Sequence, residues 1–147
     1  MSAVALPRRG TLIALLALTA LTAACDESPT APGESLACST TVGNLSPGDT
    51  VTGVLSRQSC RLSDGSYADR WRLVLDASAI LTLDMLSDDV DAYLIVRDAS
   101  GTQLVADDDG AGGSDARITY GFAAGTYYIL ANTFYQDEFG GYTIIVE

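Results

Sequence analysis

Eight aspartates crowd residues 87–115, a stretch reading SDDVDAYLIVRDASGTQLVADDDGAGGSD, and seven of them gather at its two ends. Asp88, Asp89 and Asp91 open it; Asp107, Asp108, Asp109 and Asp115 close it. Between them lie a strand over residues 91–97, the turn Ala99-Ser100-Gly101, and a second short strand over residues 102–106. Glycine supplies the positive φ that such a turn needs. Paired as a hairpin, the strands bring both acidic clusters to one edge of a sheet. Carboxylates gathered there repel one another unless water or a cation separates them. The chemistry that suits them is calcium ligation, because calcium takes roughly 6–8 oxygen ligands from carboxylates, carbonyls and water. The alternative is that Asp and Gly simply form solvated turns, with Asp91 bonded to backbone amides. Asp107-Asp108-Asp109-Gly110 does not complete an EF-hand loop, since Val105 and Ala116 fall where its first Asp and last Glu belong.

Other chemistries are poorly served. The chain has no histidine, so Ser-His-Asp and Cys-His catalysis are excluded. Paired carboxylates can hydrolyse glycosides, but these lie in polar turns with no apolar pocket to raise a pKa. The expectation is a protein that is not an enzyme. A binding role has its own candidates. Phe134, Tyr135 and Phe139 fall in the insert at residues 133–139, TFYQDEF, beside Asp137 and Glu138. Exposed aromatics in a loop suit a protein or glycan ligand, and aromatics are frequent anchors of interfaces. They could instead fold back and cap the end of the domain. The net charge of −11 speaks against nucleic acid as a partner and favours a neutral or basic one.

Cysteine usage and the N-terminus place the chain outside the cytoplasm. Arg8 and Arg9 precede the apolar run TLIALLALTAL, which is too short to span a bilayer. Leu21-Thr22-Ala23-Ala24-Cys25 resembles a bacterial lipobox, which makes residues 1–24 a lipoprotein signal peptide and Cys25 the lipidated residue. An ordinary secretory signal is the alternative. The expected location is the cell envelope, with a membrane contact through the N-terminal lipid. Residues 25–37, with Pro29 and Pro32, read as a flexible linker. Cys38 and Cys60 then pair as a disulfide in an oxidising compartment, with a metal site as the rival reading.

Residues 38–147 must build the frame for these groups. With 48% hydrophobic residues the chain can bury one core. Trp71, Leu73 and Leu75 alternate with Arg70, Arg72 and Asp76; Leu81, Leu83 and Met85 alternate with Thr82 and Asp84; Ile118, Tyr120 and Phe122 share one face. That period of two marks half-buried strands. Turn signals at Ser46-Pro47-Gly48-Asp49, Ser63-Asp64-Gly65 and Ala123-Ala124-Gly125 separate them, and no segment has a helical period. The fold class is all-β, a jelly-roll-like antiparallel β-sandwich.

With the strands placed, residues 43–146 resemble the bacterial pre-peptidase C-terminal domain. The resemblance rests on Gly48-Asp49, Tyr67-Ala68-Asp69-Arg70-Trp71, Asp88-Asp89-Val90-Asp91-Ala92-Tyr93, Asp107-Asp108-Asp109, Gly125-Thr126-Tyr127-Tyr128 and Gly140-Gly141-Tyr142, in that order. It implies a β-sandwich of the kind appended to secreted peptidases; related collagen-binding domains bind calcium and matrix protein. The 147 residues include no peptidase, carry the Cys38/Cys60 pair, and have the longer insert at 133–139. The functional expectation is a binding or interaction module, with calcium as the candidate stabilising ion. The alternative is an accessory or folding module for a separately encoded peptidase or other hydrolase.

Overall fold

The computed structural model describes residues 38–147. The expectations for residues 1–37, including the signal peptide, the linker and lipidated Cys25, lie outside them. Ten strands follow in order: β1 Thr41–Leu45, β2 Thr50–Leu55, β3 Cys60–Arg61, β4 Tyr67–Leu75, β5 Ala79–Leu86, β6 Ala92–Asp98, β7 Gln103–Asp107, β8 Ala116–Phe122, β9 Gly125–Thr133 and β10 Gly140–Val146. They form two sheets. The six-stranded sheet has the order β1-β4-β9-β6-β7, with β3 also paired to β4; the four-stranded sheet is β2-β10-β5-β8. Apart from the β3–β4 and β6–β7 steps, each successive strand changes sheet. The all-β sandwich expected from the sequence is therefore present.

Its core follows from the alternation. Leu73, Leu83, Met85, Leu94, Val96, Ile129, Ile144 and Val146 fill the space between the sheets. A second, smaller cluster of Ala68, Ile95 and Leu130 packs with Cys38, Cys60, Leu62, Tyr93 and Tyr128. This explains why β6 and β9 read as nearly unbroken apolar runs. Leu94 and Val96 face the inner core, while Ile95 is buried in the other cluster, so both faces are covered. The disulfide is formed as expected, joining Cys38 to Cys60 across a sequence separation of 22.

Four details depart from the sequence reading. First, β1 runs parallel to β4, so the sandwich is not wholly antiparallel. The chain crosses to the other sheet through β2 and returns before β4, which leaves the two strands pointing the same way. Second, β4 starts at Tyr67, and Tyr67, Ala68 and Asp69 are all buried. Third, Asp84 sits on the outer face of β5 yet is only 8% exposed. Arg117, its register partner on β8, donates from Nε and Nη2 to its two carboxylate oxygens at 2.7 and 2.6 Å. Fourth, Thr133 belongs to β9, which shortens the last loop to residues 134–139.

The sheets are also tied by a buried polar link. The Trp71 Nε1–H donates to the Tyr142 hydroxyl at 2.9 Å, and that hydroxyl donates to Asp69 Oδ2 at 2.8 Å. Trp71 and Asp69 lie on β4, Tyr142 on β10 of the opposite sheet. Gly53, directly across from Tyr142 on β2, leaves the space the phenol ring occupies; a Cβ there would overlap the Tyr142 hydroxyl. Burial raises the Tyr142 pKa, so the phenol stays protonated and keeps its donor. Tyr142→Phe strands a buried carboxylate and an indole N–H. We expect it to cost about 2 kcal/mol in urea unfolding. Reduction of the disulfide should cost about 3 kcal/mol on the chain-entropy account. A Tyr142→Phe variant as stable as wild type would contradict the first figure.

Candidate calcium-binding edge and aromatic loop

The hairpin that organises the acidic residues is present. β6 and β7 pair antiparallel with Leu94 opposite Asp107, so Asp91 and residues 107–109 emerge at the same end. Its turn is held by Asp98, whose Oδ1 accepts from the Ser100 and Thr102 amides at 2.8 and 3.0 Å, while Gly101 takes φ 92°. The Ser100 hydroxyl, which also donates to Oδ1 at 2.6 Å, is the main cause, with these amides, of an Asp98 carboxyl held below the usual carboxylate range.

The seven aspartates separate into three groups. Asp107 is a loop fastener: its Oδ2 accepts from the Gly110 amide at 2.7 Å and the Arg117 amide at 2.9 Å. Asp88, Asp89 and Asp115 line a shallow groove at the end of the four-stranded sheet, with Gly53 and Tyr142. Two of them are occupied with backbone there. Asp89 Oδ2 accepts from the Gly141 amide, and Asp115 Oδ1 from the Ser87 amide, each at 2.9 Å. The third group is Asp91 with Asp108 and Asp109. It gains a member that the sequence reading assigned to no site: Glu138, whose Oε2 accepts from the Asp91 amide at 3.3 Å. Only the chain reversal after β9 brings it there, and local spacing carries no signal of that.

Asp91 is the focus of this group. Its Oδ1 is buried and has no hydrogen-bond partner. Burial raises its pKa first, followed by repulsion from Asp109, Glu138 and Asp108. An orphaned carboxylate oxygen in a negative field suits a cation, and calcium's oxygen preference matches the donor set. Among the described residues, however, the side chains do not already converge as a group of three or more ligands.

The three candidate binding aromatics lie at the same end. Phe134, Tyr135 and Phe139 are 47, 56 and 37% exposed. The Phe134 amide donates to the Asp91 carbonyl at 2.8 Å, which fixes the loop on the acidic edge. Phe134 packs edge-on against Tyr93, and Tyr135 against Phe134. Phe139 rests on Tyr67, with the Arg57 guanidinium 5.7 Å from its ring. Phe134 and Phe139 thus pack against the domain, and all three keep a free surface.

Comparison with known proteins supports the fold. The pre-peptidase C-terminal domain of a collagenase from Bacillus anthracis superposes with a TM-score of 0.56 at 14% identity, covering 74% of this chain and 97% of that one. The chain therefore has the pre-peptidase C-terminal fold, as the sequence resemblance implied. A periplasmic inhibitor of g-type lysozyme from Aeromonas hydrophila aligns over 74% of this chain and 96% of that one, with 14% identity and a TM-score of 0.41. No family model and no curated protein matches the sequence.

The sign of the Asp91 shift makes a direct prediction. A raised folded pKa means that ionising Asp91 costs stability, a cost absent at low pH that appears as pH rises through its elevated range. In EDTA, Asp91→Asn should therefore raise the melting temperature at pH 7 and leave it unchanged near about pH 3. Equal melting temperatures at pH 7 would show that Asp91 is not strained by its neighbours.

Proposed function

We propose that this domain is a non-catalytic binding module of the bacterial cell envelope, with calcium held at the Asp91 edge and a protein or glycan ligand met by the adjoining aromatic loop. One observation carries the reading. Exposed Phe134, with Tyr135 packed against it, is hydrogen-bonded through its amide to the carbonyl of Asp91, whose buried Oδ1 lacks a partner. Ion and ligand surface are thus built on the same backbone. Calcium at Asp91, with Asp108, Asp109 or Glu138 and water completing its oxygens, would neutralise the repulsion and stiffen the loop.

The disulfide supports a location outside the cytoplasm. We assign Cys25 as the lipidated residue and residues 25–37 as its tether. The absence of histidine and the solvated setting of most carboxylates support a non-catalytic role.

Thermal unfolding of the full-length protein tests the calcium site. A ligand bound only by the native state raises its stability, by about 2.7 kcal/mol at a hundredfold excess over Kd. Millimolar calcium should raise the melting temperature above its value in EDTA. Asp91→Asn combined with Asp109→Asn should abolish the rise. No calcium response would reduce these aspartates to turn residues. The anchor is tested separately: Cys25→Ser should move the protein from the membrane to the soluble envelope fraction, and unchanged fractionation would contradict lipidation.

A further inference from the structure

The charge of this protein is unevenly spread. Residues 38–147 hold six arginines against sixteen acidic residues. Arg117 is bound by Asp84 on the four-stranded sheet. Arg70, Arg72 and Arg97, in contrast, project from one outer face of the six-stranded sheet. Arg72 and Arg97 stand directly opposite Tyr128, one on each neighbouring strand, and residues directly opposite across antiparallel strands share a face. The Arg70 guanidinium lies 3.6 Å from the centroid of the Tyr128 ring. Along β4, β9 and β6 that outer face carries no Asp or Glu. Its local sign is the reverse of the net charge.

Of these arginines, Arg72 is the one placed to grip a ligand, and Arg70 frames it. Arg70 Nη1 donates to the Cys38 and Ser39 carbonyls, both at 2.9 Å, so its guanidinium is fixed by these bonds and by the ring beneath it. Arg72 is exposed, and among the described residues it makes no hydrogen bond or ion pair. A planar guanidinium recognises a carboxylate through two parallel N–H···O bonds. The face is an open sheet surface, which suits a polymer lying across it. The backbones of Arg72 and Arg97 are separated by two strand spacings, about 10 Å, so the basic face is wide enough for more than one sugar of an extended chain. Tyr93 and Phe134 offer aromatic surface on which sugar rings stack.

We infer that this outer face binds a carboxylated polysaccharide, with Arg72 holding a uronate group and the ordered Arg70 adding positive charge beside it. The inference rests on the reading of the domain as a binding module but is independent of calcium. The net charge suits a neutral or basic partner; this face selects an acidic one.

The test uses full-length protein in neutral detergent, with EDTA present, titrated with β-linked polymannuronate. We expect binding that weakens as salt rises from about 50 to 500 mM. Arg72→Glu should reduce affinity about tenfold or more and Arg72→Ala by several-fold, as loss of an interfacial charge does. Thr52→Glu, on the opposite sheet, controls for added negative charge and should have no effect. Arg72 has no polar partner among the described residues, so its variants should keep the wild-type melting temperature. The inference is overturned if polymannuronate does not bind, if Arg72→Glu binds as wild type does, or if polyglutamate or phosphatidylglycerol vesicles bind this face more tightly. Failure here alongside a retained calcium shift would remove the polysaccharide and leave the calcium site standing.

Discussion

The Tyr142 hydroxyl, held between the Trp71 indole and the Asp69 carboxylate, fixes how the two sheets meet. A buried hydroxyl that both accepts and donates has few alternative positions, and leaving either partner unsatisfied is costly. It therefore sets β10 against β4. Because β9 also pairs with β4, the loop between β9 and β10 is suspended from two strands whose relative position is settled. Glu138 reaches Asp91 for this reason, and the loop aromatics come to the acidic end for the same reason. Gly53 belongs to the arrangement, since only a residue without a Cβ leaves room for the phenol.

The acidic end shows how a domain tolerates so much like charge. Asp89, Asp107 and Asp115 accept hydrogen bonds from backbone amides, which makes them part of the fold. Each such bond fastens a loop. Asp91 is the exception. Its amide and carbonyl are used, but its buried Oδ1 is not, and its neighbours oppose its ionisation. A density of aspartates is therefore a poor guide to a cation site. The informative property is which carboxylate the fold leaves unsatisfied.

Much of the frame was legible in the sequence. The alternation of Trp71, Leu73 and Leu75, and of Leu81, Leu83 and Met85, reports burial on one face and needs no tertiary knowledge. The Ser100-Gly101 turn and the disulfide were legible for similarly local reasons. What escaped was non-local. The parallel pairing of β1 depends on which sheet each crossing enters. The burial of Asp84 depends on Arg117, 33 residues away. For the site, the sequence placed Asp91, Asp108 and Asp109 in one list with four aspartates that do other work. It gave Glu138 no place in that list, because the contact spans 47 positions. The basic face was hidden in the same way: Arg70, Arg72 and Arg97 are scattered along an acidic chain and gather only when β4, β9 and β6 align.

On the proposed reading, Asp91 holds a cation at the junction of acidic edge and aromatic loop. The most direct measurement is a crystal structure of the protein grown with calcium, using anomalous scattering to locate the ion. The account predicts an anomalous peak about 2.4 Å from Asp91 Oδ1, with oxygen ligands from its acidic neighbours or water. Well-ordered density at Asp91 with no such peak, or an ion bound only at the Asp88, Asp89 and Asp115 groove, would contradict it.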